Sequence, residues 1–389
     1  MHSKKLFLLI FLSLAGFVTS FGAYIVAANL PSYSKETGAG LITIGILIAI
    51  YDLAEIILKP MAGVLSKKIG EWAVLRLGLM LFLLASGLYL IIDPSWLFLI
   101  RWLQGAGAAF FSVMSTTLLV RYFMDRKGMA LGLYGGFKSS GYVLAPTIGG
   151  VFVYFHGFKS IFILCACVAL LILILSYIVR LPAFALHAPE LQKRNKKKVG
   201  FKSLVHSIKN RETLPAFLII FFNMIFLGAF FGFVPVLLSS KGLGPAKAGI
   251  ILTVNAVVFL AVQPLLGRLS DTMGRKKLIA TGLILSTLSL CLLPFLGSPF
   301  YIVACLVLAV GIGCVSPLCD AFIGDVSDEE DLAVNLGISG AYRELGEMVG
   351  PVSMGFIGQT VGLGTAFLFV GIIGAGSLLC LRFLKEKNR

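Results

Sequence analysis

The chain is predicted to be an all-α membrane protein with twelve transmembrane helices in two pseudosymmetric six-helix bundles. Three observations carry that reading. Hydrophobic residues fill 58% of the 389 positions and charged ones only 13%, about half the roughly 25% of a soluble domain, and the mean hydropathy is +0.97. The chain is also written twice: Pro60-x-x-Gly63-x-Leu65-Ser66-x-x-x-Gly70 returns as Pro264-x-x-Gly267-x-Leu269-Ser270-x-x-x-Gly274. Gly132, Gly141 and Pro146 likewise align with Gly337, Gly346 and Pro351. Finally, with the connections numbered alternately, 26 of the 33 Lys and Arg fall on one side. Four fall on the other (Lys35, Lys159, Lys241, Lys247) and three within spans. This is the positive-inside asymmetry. It places both termini in the cytoplasm and makes the net charge of +15 a topology signal rather than a nucleic-acid signal.

Each span rests on a run of about 20 apolar residues, the length that crosses a bilayer. The first, 6–30, is too long for a cleaved signal and no small-residue cleavage site follows it. Spans two to six are 41–66, 73–92, 95–121, 129–154 and 159–180, completing an N-terminal bundle over 1–180. The connection 181–212 carries Lys193, Arg194, Lys196, Lys197 and Lys198 and reads as a basic tether near an anionic inner leaflet. The C-terminal bundle, 213–389, holds spans at 213–239, 246–269, 277–296, 299–324, 332–360 and 363–384. Glycines concentrate in spans five, ten, eleven and twelve, as helices that approach closely in lipid require. Pro31, Pro60, Pro146, Pro235, Pro264 and Pro351 mark kinks that gating helices tolerate. All seven cysteines fall inside spans and read as small packing residues, with no disulfide and no metal implied. Of the phenylalanines crowding span seven, most are expected against lipid or neighbouring helices, and one or two in a cavity.

A hydrophobic unit repeated in parallel is the mark of transporters whose halves rock around a central site. The motifs narrow this further. The loop Gly267-Arg268-Leu269-Ser270-Asp271-Thr272-Met273-Gly274-Arg275-Lys276-Lys277 resembles the loop signature of the major facilitator superfamily. Arg101-x-x-Gln104-Gly105-x-Gly107 in span four is similar to that family's fourth-helix arginine motif. Gly132-x8-Gly141-x3-Ala145-Pro146-x2-Gly149 in span five looks like the motif of its antiporters, with Ala145 replacing one glycine. The resemblance covers the whole chain. It implies alternating access, a cavity between the bundles and monomeric action, and gating roles for Gly63, Gly70, Gly267, Asp271, Gly274, Arg275, Gly141, Pro146, Gly350 and Pro351.

The first-half loop departs from the pattern. Lys67 and Lys68 stand where the family places Asp then Arg, and Glu71-Trp72 replaces the Arg-Lys pair. Span eleven opens on Ser327-Asp328-Glu329-Glu330-Asp331, a capping box by its Ser327 and Glu330 and a cluster that would attract lysines. The expectation is a latch of swapped polarity, Lys67 and Lys68 against Asp328–Asp331, while Asp271 faces Arg126 and Lys127 in the other half.

An ionisable group at the bilayer centre costs about 2.5–3.5 kcal/mol on insertion scales, so each is a functional candidate. Span two carries Asp52 and Glu55 near mid-depth, with Lys59 one turn past Glu55 as its i,i+4 partner. The repeat-equivalent positions, Ala256 and Phe259, are apolar. Lys138 in span five has Arg343 as its mate, and Arg343 can pair with Glu347 on one face. A carboxylate in low dielectric takes up a proton more readily than in water, and a nearby cation favours its loss. The proton-coupling candidates are therefore Asp52 first and Glu55 second, with Arg101, Glu344 and Glu347. The substrate-cavity candidates are Asn29, Lys138, Tyr142, Asp320 and Arg343.

No His–carboxylate metal spacing, nucleophile elbow or phosphate loop ending in Lys-Ser/Thr is present, so neither an enzyme nor ATP-driven transport is expected, and no cofactor. The sequence favours proton-driven export of a small organic molecule across a prokaryotic inner membrane. The rival transport reading is uptake or exchange of an organic anion drawn by Lys138 and Arg343. A non-transporting sensor is the reading from another class, and would tolerate Asp52→Asn.

Overall fold

The computed structural model describes residues 2–36, 38–91, 93, 96–123, 127–178, 212–327 and 329–384. Twelve long helices run through them: α1 (His2–Glu36), α2 (Leu41–Ile69), α3 (Glu71–Ile91), α4 (Leu97–Tyr122), α5 (Lys127–His156) and α6 (Lys159–Ile178). After the connection come α7 (Leu214–Ser240), α8 (Pro245–Met273), α9 (Arg275–Leu292), α10 (Phe300–Val326), α11 (Glu329–Val361) and α12 (Leu363–Ala375). Beyond α12 the chain continues in the short turn Ser377–Cys380. Among the described residues, ten helices are long and apolar enough to cross a membrane unaided. The two that fall short are α5 and α11, the glycine-rich helices carrying Lys138 and the Arg343–Glu347 charges. They cross because they are sheltered between the bundles, each packing on its own bundle and on the other.

The repeated sentence has a structural cause at each conserved letter. Gly70 and Gly274 close α2 and α8 with φ of +90° and +88°, a conformation open only to glycine. Ser66 and Ser270 each donate to a carbonyl three residues back, that of Gly63 (3.0 Å) and of Gly267 (2.6 Å). The charges at these ends are also mates, with polarity reversed. Glu71 accepts from Arg121 at 2.7 Å in the first half, and Arg275 donates to Asp325 at 2.8 Å in the second. The departure of Glu71 from the loop signature is thus compensated at the end of α4.

Within the N-terminal bundle α1 packs on α5 and α3 on α4; in the C-terminal bundle α7 packs on α11 and α9 on α10. Phe217, Phe226, Phe230 and Phe233 of α7 are fully buried and build the core, while Phe221 and Phe222 are half-buried against it. That core crosses into the other bundle through Ala28, Ile44, Ile48 and Tyr142. Two seams join the bundles, α2 with α11 and α5 with α8. A Cβ on Gly45 would overlap the Pro351 carbonyl, and one on Gly249 the Pro146 carbonyl, so backbones touch on both seams. Both contacts lie toward the end opposite the termini. Toward the termini end Gly63, Gly132, Gly267 and Gly337 have no neighbour within 4 Å. The bundles are therefore closed at one end and splayed at the other.

Candidate functional site

Between the bundles lies a cavity of about 130 Å³. Helix α2 contributes Tyr51, Asp52 and Glu55, α4 contributes Arg101 and Ser112, α5 Lys138, α7 Phe231 and α11 Glu347. Helix α1 adds Thr19, Ser20 and Tyr24, which the charge-based reading missed. Their signal is a run of small and polar side chains at helical spacing (Thr19, Ser20, Ala23, Tyr24, Ala27) on an otherwise apolar span.

Two groups of charge are fixed by ion pairs. Lys59 Nζ lies 2.9 Å from Glu55 Oε2, as the i,i+4 spacing predicts, and also donates to Glu344 Oε1 across the α2–α11 seam. Sequence spacing could not see that second bond, which ties one bundle to the other. Arg343 donates to Asp320 Oδ2 at 2.6 Å, and Ser339 to the other oxygen of the same carboxylate at 2.5 Å. The expected Arg343–Glu347 pair is thus replaced by one to α10, because a long guanidinium reaches the facing helix as readily as its own next turn.

The remaining charges face the cavity without an ion pair among the described residues: Asp52, Glu347, Arg101 and Lys138. Arg101 is only 2% exposed. Its Nη1 donates to Gln104 Oε1 at 2.6 Å, its Cζ lies 4.5 Å from the Tyr51 ring centroid, and its Nε has no hydrogen-bond partner.

Of the five expected cavity residues only Lys138 lines the cavity, and the other four lie elsewhere. Asn29 spends its amide on the Ile25 carbonyl at 2.8 Å, one turn back on its own helix. Asp320 and Arg343 hold each other. Tyr142 does not line the cavity directly but packs edge-on against Tyr24, with ring centroids 4.5 Å apart, and against Phe231 at 5.2 Å. With Phe259 at 6.2 Å these rings connect four helices of both bundles. Of the expected latch, the Arg126 and Asp328 positions and the side chains of Lys127, Asp271, Glu329, Glu330 and Asp331 lie outside the described residues, as does the basic connection before Glu212. The described residues hold no cluster of His, Cys, Asp and Glu suited to a metal.

The chain is 25% identical over 396 residues to multidrug resistance protein 2 of Bacillus subtilis, covering 100% of this chain and 97% of that protein. It is also 25% identical to the staphylopine export protein of Staphylococcus aureus, over 93% of this chain and 92% of that one. In fold it is similar to the inward-facing, unoccupied crystal structure of a bacterial homolog of the human lysosomal transporter Spinster, with a TM-score of 0.84, 14% identity and 98% of each chain covered. The nucleoside transporter NupG superposes with a TM-score of 0.82 at 13% identity, over 98% of this chain and 100% of that one. The Major Facilitator Superfamily profile matches residues 12–235 and 216–389, and with the paired bundles, the internal repeat and the cavity between them this chain belongs to that superfamily, as a multi-pass membrane transporter of small molecules and not an enzyme.

Proposed function

We propose that the chain exports small organic molecules in exchange for protons, as a monomer in a prokaryotic plasma membrane with both termini cytoplasmic. The observation that carries this reading is the pair of carboxylates, Asp52 from one bundle and Glu347 from the other, that face one cavity without an ion-pair partner among the described residues. Protonation is the way such carboxylates lose their charge as the bundles move from one closure to the other. With the termini in the cytoplasm, the splayed end is the cytoplasmic one, so this is the cargo-loading conformation. Asp52 loads the proton from outside, with Glu347 as the second acceptor across the cavity and Glu55 held in reserve by Lys59; Arg101 and Lys138 favour its release when the cavity fills. The names of the curated relatives support export. The organic-anion reading loses one of its two cations, because Arg343 is held by Asp320.

The test is a compound-sensitivity panel in an efflux-deficient host, comparing wild type with Asp52→Asn, with and without a protonophore. Protection by wild type that disappears in the variant and under the protonophore is expected. Protection that survives both refutes proton coupling through Asp52.

A further inference from the structure

The cavity separates its two signs of charge by helix. Asp52 and Glu347 stand on α2 and α11, the two helices of one seam, whereas Arg101 and Lys138 stand on α4 and α5. Lys59 lies outside the lining and is bonded to Glu55 and Glu344, so it does not neutralise the first group. Burying a guanidinium with one N–H unsatisfied is costly unless something binds it. Arg101 is nevertheless held in place, by Gln104 on one side and the Tyr51 ring on the other. A guanidinium that lines the cavity with no ion pair among the described residues is a receptor for an oxyanion such as a carboxylate, and exposed Lys138 adds a second positive charge facing the same space.

We propose that the cargo is amphoteric: its carboxylate docks on Arg101 and Lys138, and its ammonium docks between Asp52 and Glu347. Apart from Glu55, which Lys59 holds, the lining offers two acids and two cations without an ion pair among the described residues, a match for a zwitterion, while a cation alone leaves Arg101 orphaned and an anion alone leaves both acids unmatched. At the roughly 30 Å³ each water occupies in the liquid, the cavity of about 130 Å³ holds about four waters in this conformation, the scale of a small polar molecule. The inference rests on the transport reading only in taking this cavity as the cargo site. It also gives exchange a physical basis, since proton and ammonium compete for the same two carboxylates and the cargo bridges both bundles.

The test uses the purified full-length chain and matched triads of probes: 4-(aminomethyl)benzoic acid and 6-aminohexanoic acid as zwitterions, their methyl esters as cations and their N-acetyl derivatives as anions. Ligand-dependent thermal stabilisation gives an apparent affinity for each. The zwitterion is expected to bind at least about tenfold more tightly than either derivative, the factor that about 1.4 kcal/mol of charge-assisted hydrogen bonding supplies. Arg101→Gln and Lys138→Gln should each shift the preference toward the ester, and Glu347→Gln toward the N-acetyl form. Lys138 is exposed, so its variant reports even if Arg101→Gln fails to fold. An ester or N-acetyl form that binds as tightly as its parent overturns the proposal, as does binding by none of the three forms. Reconstitution into liposomes with an imposed pH gradient separates the two readings. Proton-driven flux of compounds lacking either charge sinks the amphoteric cargo and leaves export standing; zwitterion binding without proton-driven flux does the reverse.

Discussion

Among the described residues, Lys59 is the ammonium that bonds to both bundles on the α2–α11 seam, and Lys59→Met removes it. In the present conformation Nζ contacts Glu55 and Glu344, and the three side chains are 28%, 17% and 28% exposed. That places the cluster between a surface pair, worth about 0–1 kcal/mol, and a buried one whose disruption costs about 3–5 kcal/mol. An intermediate loss of about 1–2 kcal/mol follows, and the substitution also leaves two carboxylates facing each other across the seam. Because Glu344 belongs to the other bundle, that energy weighs on the balance between bundle arrangements, a factor of about 5–30 in population. Spin labels at Lys68→Cys and Thr272→Cys, both exposed at the ends of α2 and α8, report the gap at the splayed end in a background free of the seven native cysteines. Lys59→Met should increase the fraction of short distances, and Glu344→Gln should do the same. Glu55→Gln should have a smaller effect, since Glu55 shares a helix with Lys59. An unchanged distance distribution in Lys59→Met, or an equal shift in Glu55→Gln, refutes the assignment of this bond as a tie between bundles.

The reversed ion pairs at the helix ends make a charge-swap test. Glu71→Arg alone should lower the apparent melting temperature in detergent by the equivalent of about 0.5 kcal/mol, a surface-pair value because Arg121 is 53% exposed. Adding Arg121→Glu should restore it, and a double variant less stable than the single one would contradict the pairing. Gly45→Val introduces side-chain atoms against the Pro351 carbonyl, an overpacking of about 1–3 kcal/mol, and should deplete the present conformation in the same distance measurement. Gly63→Val, where an added Cβ meets nothing within 4 Å in this conformation, should by contrast not deplete it.

The twelve spans were readable to within a few residues because membrane thickness sets their length, a constraint that acts on each segment separately. Helix ends follow local chemistry, as when the last span breaks at Gly376 after α12. That Asp52 and Glu55 stand together on one helix was legible too, and both line the cavity. Partner choice was not. Spacing along α11 suggests Arg343 with Glu347, while the structure gives Arg343 to Asp320 on α10 and Glu344 to Lys59 on α2. Asn29 illustrates the opposite error: a polar residue in a span need not face a cavity when its own helix offers a carbonyl. The polar face of α1 was missed because hydroxyls and small residues cost little in a span and raise no alarm beside charges.

The two seams descend from one repeat, yet they differ at the positions that meet. Counting 204 or 205 residues between halves, Glu55 corresponds to Phe259 and Glu347 to Tyr142. On the α5–α8 seam those mates are an aromatic contact, Tyr142 with Phe259. On the α2–α11 side the same two positions are carboxylates lining the cavity. Lys59 corresponds to Gln263 and Glu344 to Ser139, so the bond between bundles is likewise carried by charge on one side only. An aromatic contact has the same energy whatever the proton concentration, whereas carboxylates and an ammonium do not. On the proposed proton exchange, the titratable groups at these positions stand on the α2–α11 seam, which makes the α5–α8 seam, closed by backbone contact at Gly249 and by rings, the pivot of that proposal. Two seams that both kept the aromatic mates would offer no carboxylate for a proton to act on; in the proposed exchange the divergence of Glu55 from Phe259 and of Glu347 from Tyr142 supplies one side that does.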